Sequence, residues 1–264
     1  MTTSRATMQV DVVMLTKNSQ HLLYKCLDSI YQNVPIKNLI IIDGYSKDHT
    51  LEILEKFNRK YCNVRLFQMN GSRAKARTEG IRKVTTEWFM FVDSDVLLCR
   101  DWFQKAQADL SSDAGAIWGF NVDVLPNIRN KRILKFQSLV AKQCFKLRGG
   151  MHDTLILHKA VEGIQIPEEL HAYEDAYIVH WIEEHGYKAT VGSQIYCLHY
   201  KPPENWNLTN GIQQAIVELK CGFVYSHLFR YAFFYPIFFL YWSLQLPLNG
   251  YRNGSSRKCQ PQVV

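Results

Sequence analysis

Two carboxylates interrupt an apolar run in the stretch "WFMFVDSDVLL" at residues 88–98, where Asp93 and Asp95 stand two positions apart. A desolvated carboxylate is costly unless it is paired with a cation or hydrogen-bonded. Carboxylates that leave a strand at this spacing can be turned onto one Mg²⁺ or Mn²⁺, because both ions prefer oxygen ligands. An isolated pair of this kind is more often a pair of loop or helix-capping aspartates, so the metal hypothesis needs support from the surrounding sequence.

Other polar residues end apolar strands elsewhere in the first hundred residues. Thr16 ends "QVDVVMLT" and Asp43 ends "NLIIID". Helical patterns alternate with these strands over residues 17–33, 46–60 and 73–83, and Asn18 or Ser19 is the expected cap of the first helix. This alternation predicts a mainly parallel sheet covered on both faces, whose ligand crevice lies beyond the carboxyl ends of the strands. We therefore expect Thr16, Asp43 and the aspartate pair to converge on one edge.

A further helical pattern begins at Glu174 and ends at Gly186, which puts Glu174 and Asp175 in its first turn.

Composition narrows the class of protein. The chain has 264 residues and a formal net charge of +7, which favours partners that carry phosphate. A nucleic-acid-binding protein is disfavoured because the basic residues are dispersed and no RNA or DNA module pattern occurs.

The seven cysteines form no Cys-x-x-Cys pair, which argues against a zinc site and a secreted disulfide framework, and for a reducing compartment. The N-terminal apolar run is too short for a signal peptide. The body of the chain is thus expected to be cytosolic.

The C-terminal part differs in character, because residues 223–248 are dense in aromatics and the 18 residues from Tyr231 to Leu248 carry no charge. As a helix these 18 residues would span roughly 27 Å, close to the hydrocarbon thickness of a bilayer, although Pro236 and Pro247 interrupt them. A core helix, a membrane-embedded segment and an interfacial segment all fit, and prolines and tyrosines favour the interfacial form. We expect a catalytic domain over residues 1–203 and a membrane-associated helical segment over 204–264, on the cytoplasmic side of the membrane.

Five blocks of the sequence, in order, resemble the inverting family 2 glycosyltransferases of the GT-A fold. The blocks, which together cover roughly residues 9–200, are "VVMLTKNSQHLLYKCLDSI", "LIIIDGYSKDHT", "GSRAKARTEGI", "EWFMFVDSD" and "LHKAVEGIQIPEELHAYEDAYIVHWIEEHGYKA". The resemblance implies a GT-A nucleotide-diphospho-sugar transferase fold, with a Rossmann-like, mainly parallel sheet flanked by helices.

The resemblance also implies roles for individual residues. Thr16, Asp43, Arg77 and Asp93 would bind the donor, with Asp43 holding its base and Asp93 its ribose or the metal. Asp95 would ligate the metal that bridges the donor's diphosphate. His199, in "YCLHYK", stands where many relatives have a third metal or phosphate contact, and a histidine satisfied within the core or at the surface is the alternative.

On the acceptor side, Asp175 would be the general base, with Glu174 beside it. The sequence departs from the family pattern at Gly44, where a second acidic residue is expected, and at Thr78, where an asparagine is expected. Arg77, like Arg73 and Lys75, would contact phosphate or lie on a solvated helix face. The Gln-x-x-Arg-Trp motif of processive synthases is absent, which favours transfer of a single sugar.

We therefore expect a metal-dependent inverting glycosyltransferase that uses Mn²⁺ or Mg²⁺ and a nucleotide-sugar donor. The expected acceptors are a saccharide or a polyprenyl phosphate, with the membrane surface as a partner and no nucleic acid. One alternative is a nucleotidyltransferase, although "TKNSQH" lacks the glycines of a phosphate-binding loop after the first strand. The other is a catalytically inactive, membrane-bound partner subunit of the same fold.

Overall fold

Strands and helices alternate along the first part of the chain, as the sequence predicts. The computed structural model describes residues 8–123, 150–168, 170 and 174–200. The elements of the first part are β1 (Val10–Thr16), α1 (Gln20–Asn33), β2 (Ile36–Asp43), α2 (Thr50–Tyr61), β3 (Val64–Gln68), α3 (Arg73–Lys83) and β4 (Trp88–Val92). Ser19 occupies the N-cap position of α1 without a side-chain capping bond, because its hydroxyl contacts Ser94 Oγ at 2.9 Å instead.

The second part of the chain extends the same sheet. Its elements are β5 (Val96–Leu98), α4 (Trp102–Ala108), β6 (Ala114–Asp123), β7 (Asp153–Leu157), a 3₁₀ turn (His158–Val161), α5 (Glu174–Glu184) and β8 (Lys188–His199). The eight strands lie in the order β3-β2-β1-β4-β7-β6-β8-β5. The first four are parallel, as expected, but β7 runs antiparallel to β4 and β6, and β5 runs antiparallel to β8. The second part of the sheet is therefore mixed.

The central strands are buried on both faces, because helices cover both sides of the sheet. Successive residues of β1, β2 and β4 are fully buried, including Val12, Val13, Ile40, Ile41 and Phe91. On α1, the residues that contact the core recur at helical spacing, namely Leu23, Cys26, Leu27 and Ile30.

Helix α3 approaches the sheet closely at Gly80, where an added Cβ would clash with the Val13 side chain. Arg77 precedes Gly80 by one helical turn and is buried on the same helix. The close approach at Gly80 therefore holds Arg77 against the sheet.

The chain divides into two compact units, residues 1–217 and 218–264, and all described residues belong to the first. The predicted domain boundary at residue 203 and the predicted membrane-associated segment at 223–248 lie outside the described residues. Among the residues that the structure describes, no helix has the length and hydropathy needed to cross a bilayer.

Candidate active site

Three neighbouring parallel strands end in register on polar residues. Thr16 of β1 pairs with Asp43 of β2, which pairs with Gln68 of β3. Asp43 is fully buried, and each of its oxygens accepts two hydrogen bonds. Oδ1 accepts from Thr16 Oγ1 at 2.9 Å and Ser46 Oγ at 2.5 Å, and Oδ2 accepts from Ser46 N at 2.9 Å and Gln68 Nε2 at 3.0 Å. Thr16 and Asp43 thus meet at this edge as expected.

The four hydrogen bonds set the ionisation of Asp43. Burial by itself raises the pKa of this carboxyl, but the bonds from Ser46, Gln68 and Thr16 outweigh burial, and the net pKa is lower than usual. The Asp43 carboxylate is therefore charged and engaged within the protein. Its predicted contact with a donor base stays a prediction, and the geometry favours a positioning role for Asp43 instead.

Two loops beyond this edge are tied to each other. The β1 loop (residues 17–19) and the β2 loop (residues 44–49) follow their strands directly. Asn18 N donates to Ser46 Oγ at 2.8 Å, and Asn18 Oδ1 accepts from Lys47 N at 2.9 Å. Two non-glycine residues in these loops have left-handed backbone, Asn18 with a φ of 52° and Tyr45 with a φ of 56°. The loops therefore form one preorganised ledge.

The predicted metal ligands come together next to this ledge. One ligand atom from each of Asp93, Asp95 and His199 lies within 4.8 Å of the others. His199 is buried, and its Nε2 lies 3.1 Å from Asp95 Oδ1. The antiparallel pairing of β5 with β8 accounts for this meeting, because it sets Val96 opposite His199 and lets Tyr200 N donate to Asp95 O at 2.9 Å. The two carboxylates suit Mn²⁺ or Mg²⁺, and the imidazole favours Mn²⁺, which accepts a nitrogen ligand more readily than Mg²⁺ does.

The His199 ring is held from its other side as well. The side-chain amide of Asn121 contacts Nδ1 at 3.1 Å, which leaves Nε2 facing Asp95. A partner on the second ring nitrogen commonly orients a metal-ligating histidine. The sequence contained no signal for Asn121, since its role depends on the pairing of β6 with β8.

Asp93, Asp95 and His199, the candidate metal ligands, are together called the metal group. Arg77 links this group to α5. Its Nη2 lies 3.4 Å from Asp93 Oδ1 and its Nε lies 3.2 Å from Glu174 Oε1, while the guanidinium carbon sits 4.9 Å from the centre of the Phe91 ring. Only 5% of Arg77 is exposed, so the alternative of a solvated helix face is wrong for this residue. Its predicted contact with a donor phosphate stays a prediction, since the carboxylates already engage the guanidinium.

The two predicted acceptor-side carboxylates differ in exposure. Glu174 is buried against Arg77, whereas Asp175 is half-buried. Burial raises the pKa of Glu174, Arg77 lowers it, and Asp175 raises it again, with a net upward shift. Both stand in the first turn of α5, where the helix dipole favours negative charge. Asp175 is thus the more accessible of the two for contact with a substrate.

A buried cluster that sequence reasoning missed lies beside the metal group. Asp153 is fully buried and accepts a hydrogen bond from Trp102 Nε1 at 2.9 Å, and burial raises its pKa to about 8. The backbone oxygen of His152 accepts a hydrogen bond from Asp93 N at 3.2 Å. The imidazole ring of His152 stacks on that of His199, with the ring centroids 5.9 Å apart. The only sequence signal was a pair of polar residues, "HD", before an apolar strand.

His152, Asp153 and Cys197 also bring a ring nitrogen, a carboxylate oxygen and a thiol within 4.8 Å of one another. All three side chains are buried. Through His152, this buried cluster contacts the backbone of Asp93 and the ring of His199.

Candidate divalent-cation ligands at the carboxyl edge of a Rossmann-like sheet are typical of a class of nucleotide-dependent transferases. The family model described as "Glycosyl transferase family 2" matches residues 11–159. The chain therefore belongs to glycosyl transferase family 2, and the resemblance noted in the sequence is confirmed.

Curated relatives match shorter stretches. The chain is 33% identical over 94 residues to a poly(ribitol-phosphate) beta-glucosyltransferase of Bacillus spizizenii, a stretch that covers 33% of this chain and 15% of the relative. It is 28% identical over 146 residues to a cholesterol galactosyltransferase of Borreliella burgdorferi, covering 52% of this chain and 40% of the relative. The matched stretches thus cover 15% and 40% of the lengths of these two relatives.

Solved structures share the fold. A mannosyltransferase from Pyrobaculum calidifontis, in complex with GDP-Man and Mn²⁺, superposes with a TM-score of 0.60 at 18% identity, covering 75% of this chain and 58% of that one. TarS 1-349 of S. aureus, in complex with UDP-GlcNAc, gives a TM-score of 0.57 at 19% identity, covering 74% of this chain and 59% of that one. The expected GT-A fold is thereby confirmed for the described residues.

Proposed function

We propose that this protein is a metal-dependent inverting glycosyltransferase that moves a sugar from a nucleotide-sugar donor to an acceptor hydroxyl. One observation carries the proposal. Arg77 joins the metal group of Asp93, Asp95 and His199 to the acidic first turn of α5. Ligands for a cation and a candidate base therefore line one crevice.

The charges of the crevice fit a divalent cation. The carboxylates of Asp93, Glu174 and Asp175 all act on the Arg77 guanidinium, and Asp95 faces His199 beside them. Mn²⁺ or Mg²⁺ would be held by Asp95, His199 and Asp93, and would offset the excess negative charge. When bound, such an ion neutralises the charge that develops on a departing diphosphate.

The chain's own residues divide the remaining tasks. Asp175 accepts the proton of the acceptor hydroxyl. At the same time the acceptor oxygen attacks the anomeric carbon of the donor sugar, and the bond from that carbon to the nucleoside diphosphate breaks. Glu174, held by Arg77, fixes the first turn of α5 and with it the direction of Asp175. A base on the face opposite the leaving group leads to a single displacement with inversion, and no covalent intermediate is needed.

The acceptor class follows from chemistry that two relatives share. One is named for cholesterol and the other for poly(ribitol-phosphate), and both of these carry hydroxyl groups. A hydroxyl acceptor, on a saccharide or a lipid-linked molecule such as one built on polyprenyl phosphate, is therefore our proposal. Location at the cytoplasmic face of a membrane is part of the same proposal and rests on the uncharged aromatic run at residues 231–248.

The alternatives differ from this proposal in measurable ways. Membership of glycosyl transferase family 2 disfavours a nucleotidyltransferase. An inactive partner subunit would bind donor or membrane without turnover. Flotation of the full chain with liposomes tests the membrane part, and a chain that stays wholly in the soluble fraction would remove that part alone.

The first experiment measures thermal shifts of the full chain with nucleoside diphosphates in Mn²⁺, in Mg²⁺ and in chelator. A ligand at about a hundred times its dissociation constant adds roughly 2.7 kcal/mol to stability, which raises the melting temperature visibly. We expect metal-dependent stabilisation that Asp95→Asn abolishes. Asp101→Asn, at an exposed carboxylate near the far end of α1, is the matched control and should behave as the wild type. The absence of any metal-dependent shift in the wild type would refute the donor assignment.

A further inference from the structure

The outer end of the ledge presents an aromatic ring to solvent. Tyr45 is 49% exposed although it stands two residues after the fully buried Asp43. Its φ of 56° is in the left-handed region, which costs free energy for any residue with a Cβ. A glycine at position 45 would avoid this cost, but the glycine of this loop is the preceding residue, Gly44.

The left-handed conformation is imposed by neighbours on both sides. Asp43 binds the backbone N–H and the hydroxyl of Ser46, and Gly44 N donates to Thr16 O at 2.8 Å. Asn18 holds the next residues of the β2 loop through Ser46 and Lys47. Tyr45 is therefore an exposed ring on a rigid support, a placement that favours contact with a ligand.

A lysine lies beside Gly44, the residue that precedes Tyr45. A Cβ added at Gly44 would come within 3.2 Å of Lys17 Cδ, so the apolar stem of Lys17 crosses the space that a side chain at position 44 would fill. Lys17 is itself exposed. The exposed surface beyond β1 and β2 therefore includes the Lys17 side chain and the Tyr45 ring.

The order of the strands gives the distance between this surface and the metal group. From the aspartates that follow β4, the sheet continues to β1 and then β2 on one side, and to β7, β6 and β8 on the other. Helix α5, which begins with the candidate base, packs against β6 and β8. Two strand spacings of roughly 4.8 Å separate β4 from β2, a span that suits the ribose and base of a nucleotide whose diphosphate is at the metal group.

We infer that the ring of Tyr45 stacks on the donor's nucleobase and that the Lys17 ammonium donates a hydrogen bond to a carbonyl oxygen of that base. The inference rests on the proposed function and assigns its donor specificity. The Asp43 oxygens each accept two hydrogen bonds already, so that carboxylate is engaged when a base arrives. Recognition through a ring face and a carbonyl selects uracil, guanine or cytosine nucleotides over adenine nucleotides, because adenine has no carbonyl.

Calorimetric titration of the full chain in Mn²⁺ tests this, with UDP, GDP, CDP, ADP and inorganic pyrophosphate as the probes. Loss of one base–aromatic stack weakens binding about tenfold. Tyr45→Ala should weaken the preferred nucleotide by this factor and leave pyrophosphate binding unchanged, while Tyr45→Phe retains wild-type affinity. Lys17→Met should reduce the preference for the carbonyl-bearing nucleotides over ADP.

The outcomes separate the two proposals. If pyrophosphate and nucleotides bind but Tyr45→Ala binds every nucleotide as the wild type does, the inference is wrong and the proposed function stands. If the wild type binds neither pyrophosphate nor nucleotide in Mn²⁺, both are wrong. Tyr24→Ala, which removes another exposed tyrosine from α1, controls for loss of a surface ring.

A second variant excludes a purely structural role for Tyr45. Tyr45→Gly relieves the left-handed backbone, so the melting temperature without ligand should rise by about 2 °C. The same variant should lose about tenfold in nucleotide affinity, as Tyr45→Ala does. If the role of Tyr45 were purely structural, the melting temperature and the nucleotide affinity would change in the same direction. A loss of stability without a change in affinity would overturn the inference.

Discussion

The two halves of the sheet neutralise their buried charges by different means. In the parallel half, Asp43 is charged but satisfied by four hydrogen bonds from neutral groups. Where the two halves meet, Asp93 at the end of β4 and Glu174 share the guanidinium of Arg77, and Asp95 faces His199 of the mixed half. The parallel side is therefore complete without a ligand, whereas the mixed side carries an excess of negative charge that a cation and a substrate would offset.

This difference assigns rigidity to one side and chemistry to the other. Hydrogen bonds between the β1 and β2 loops preorganise the surface where the donor base is proposed to lie. The pKa of Glu174, at the start of α5, is raised because burial and the neighbouring Asp175 outweigh the effect of Arg77. Variants on the mixed side should therefore affect turnover first, and variants on the parallel side should affect stability and donor affinity.

The largest effect is expected at Asp175. Asp175→Asn should lower the transfer rate by a factor of roughly 10² to 10⁴, because it removes the group that accepts the acceptor's proton. Affinity for the nucleoside diphosphate should stay near the wild-type value, as measured by titration. An equal loss of turnover and donor affinity would identify Asp175 as a structural residue.

The next effect concerns Arg77. Arg77→Met leaves Glu174 and Asp93 without their shared cation, and breaking a buried ion pair from one side costs about 3 kcal/mol. Urea denaturation measures this loss. Glu174→Gln in the Arg77→Met background should recover part of the stability, since it removes one of the stranded charges. If the double variant is no more stable than Arg77→Met, the Arg77–Glu174 pair is not the source of the loss.

A smaller change is expected on the parallel side. Asp43→Asn directs an amide N–H₂ at donors that now point to a carboxylate oxygen, and an unsatisfied buried group costs about 2 kcal/mol. The free energy of unfolding should fall by this amount, and donor affinity should fall with it because both loops loosen. Unchanged stability would mean that the ledge does not depend on Asp43.

The smallest effect, over the single pH unit that is measured, is a pH dependence that originates at Asp153. Burial raises the pKa of this carboxyl to about 8 in the folded protein, against roughly 3.9 in the unfolded chain. The unfolded chain therefore releases the proton first, and the stability due to Asp153 is present below about pH 4 and declines as the pH rises towards 8. The loss is about 1.4 kcal/mol for each pH unit in this window.

Asp153→Asn keeps the shape of the side chain and does not titrate. Between pH 5.5 and 6.5, the melting temperature of the wild type should fall relative to that of this variant. Parallel melting curves for the two proteins over this range would contradict the raised pKa.

Much of the parallel half was predictable from local patterns. Apolar runs that end in Thr16, Asp43 and Asp93 mark strand ends, and parallel strands bring such ends to one edge whatever the rest of the chain does. The acidic first turn of α5 was readable in the same way, from Glu174 and Asp175 before a helical pattern. These features follow from periodicity and polarity over a few neighbouring residues, so they are legible in a linear sequence.

The mixed half depended on contacts between distant segments. The antiparallel pairing of β5 with β8 brings His199 to Asp95, and the burial of α3 turns Arg77 from a candidate surface residue into the link between two carboxylates. Asp153 was marked only by the polar pair "HD" before an apolar strand, and no local pattern indicated a role for Asn121. The register between remote strands and the burial of a side chain are set by the packing of the whole domain. Neither produces a periodic pattern in the neighbouring residues of the sequence.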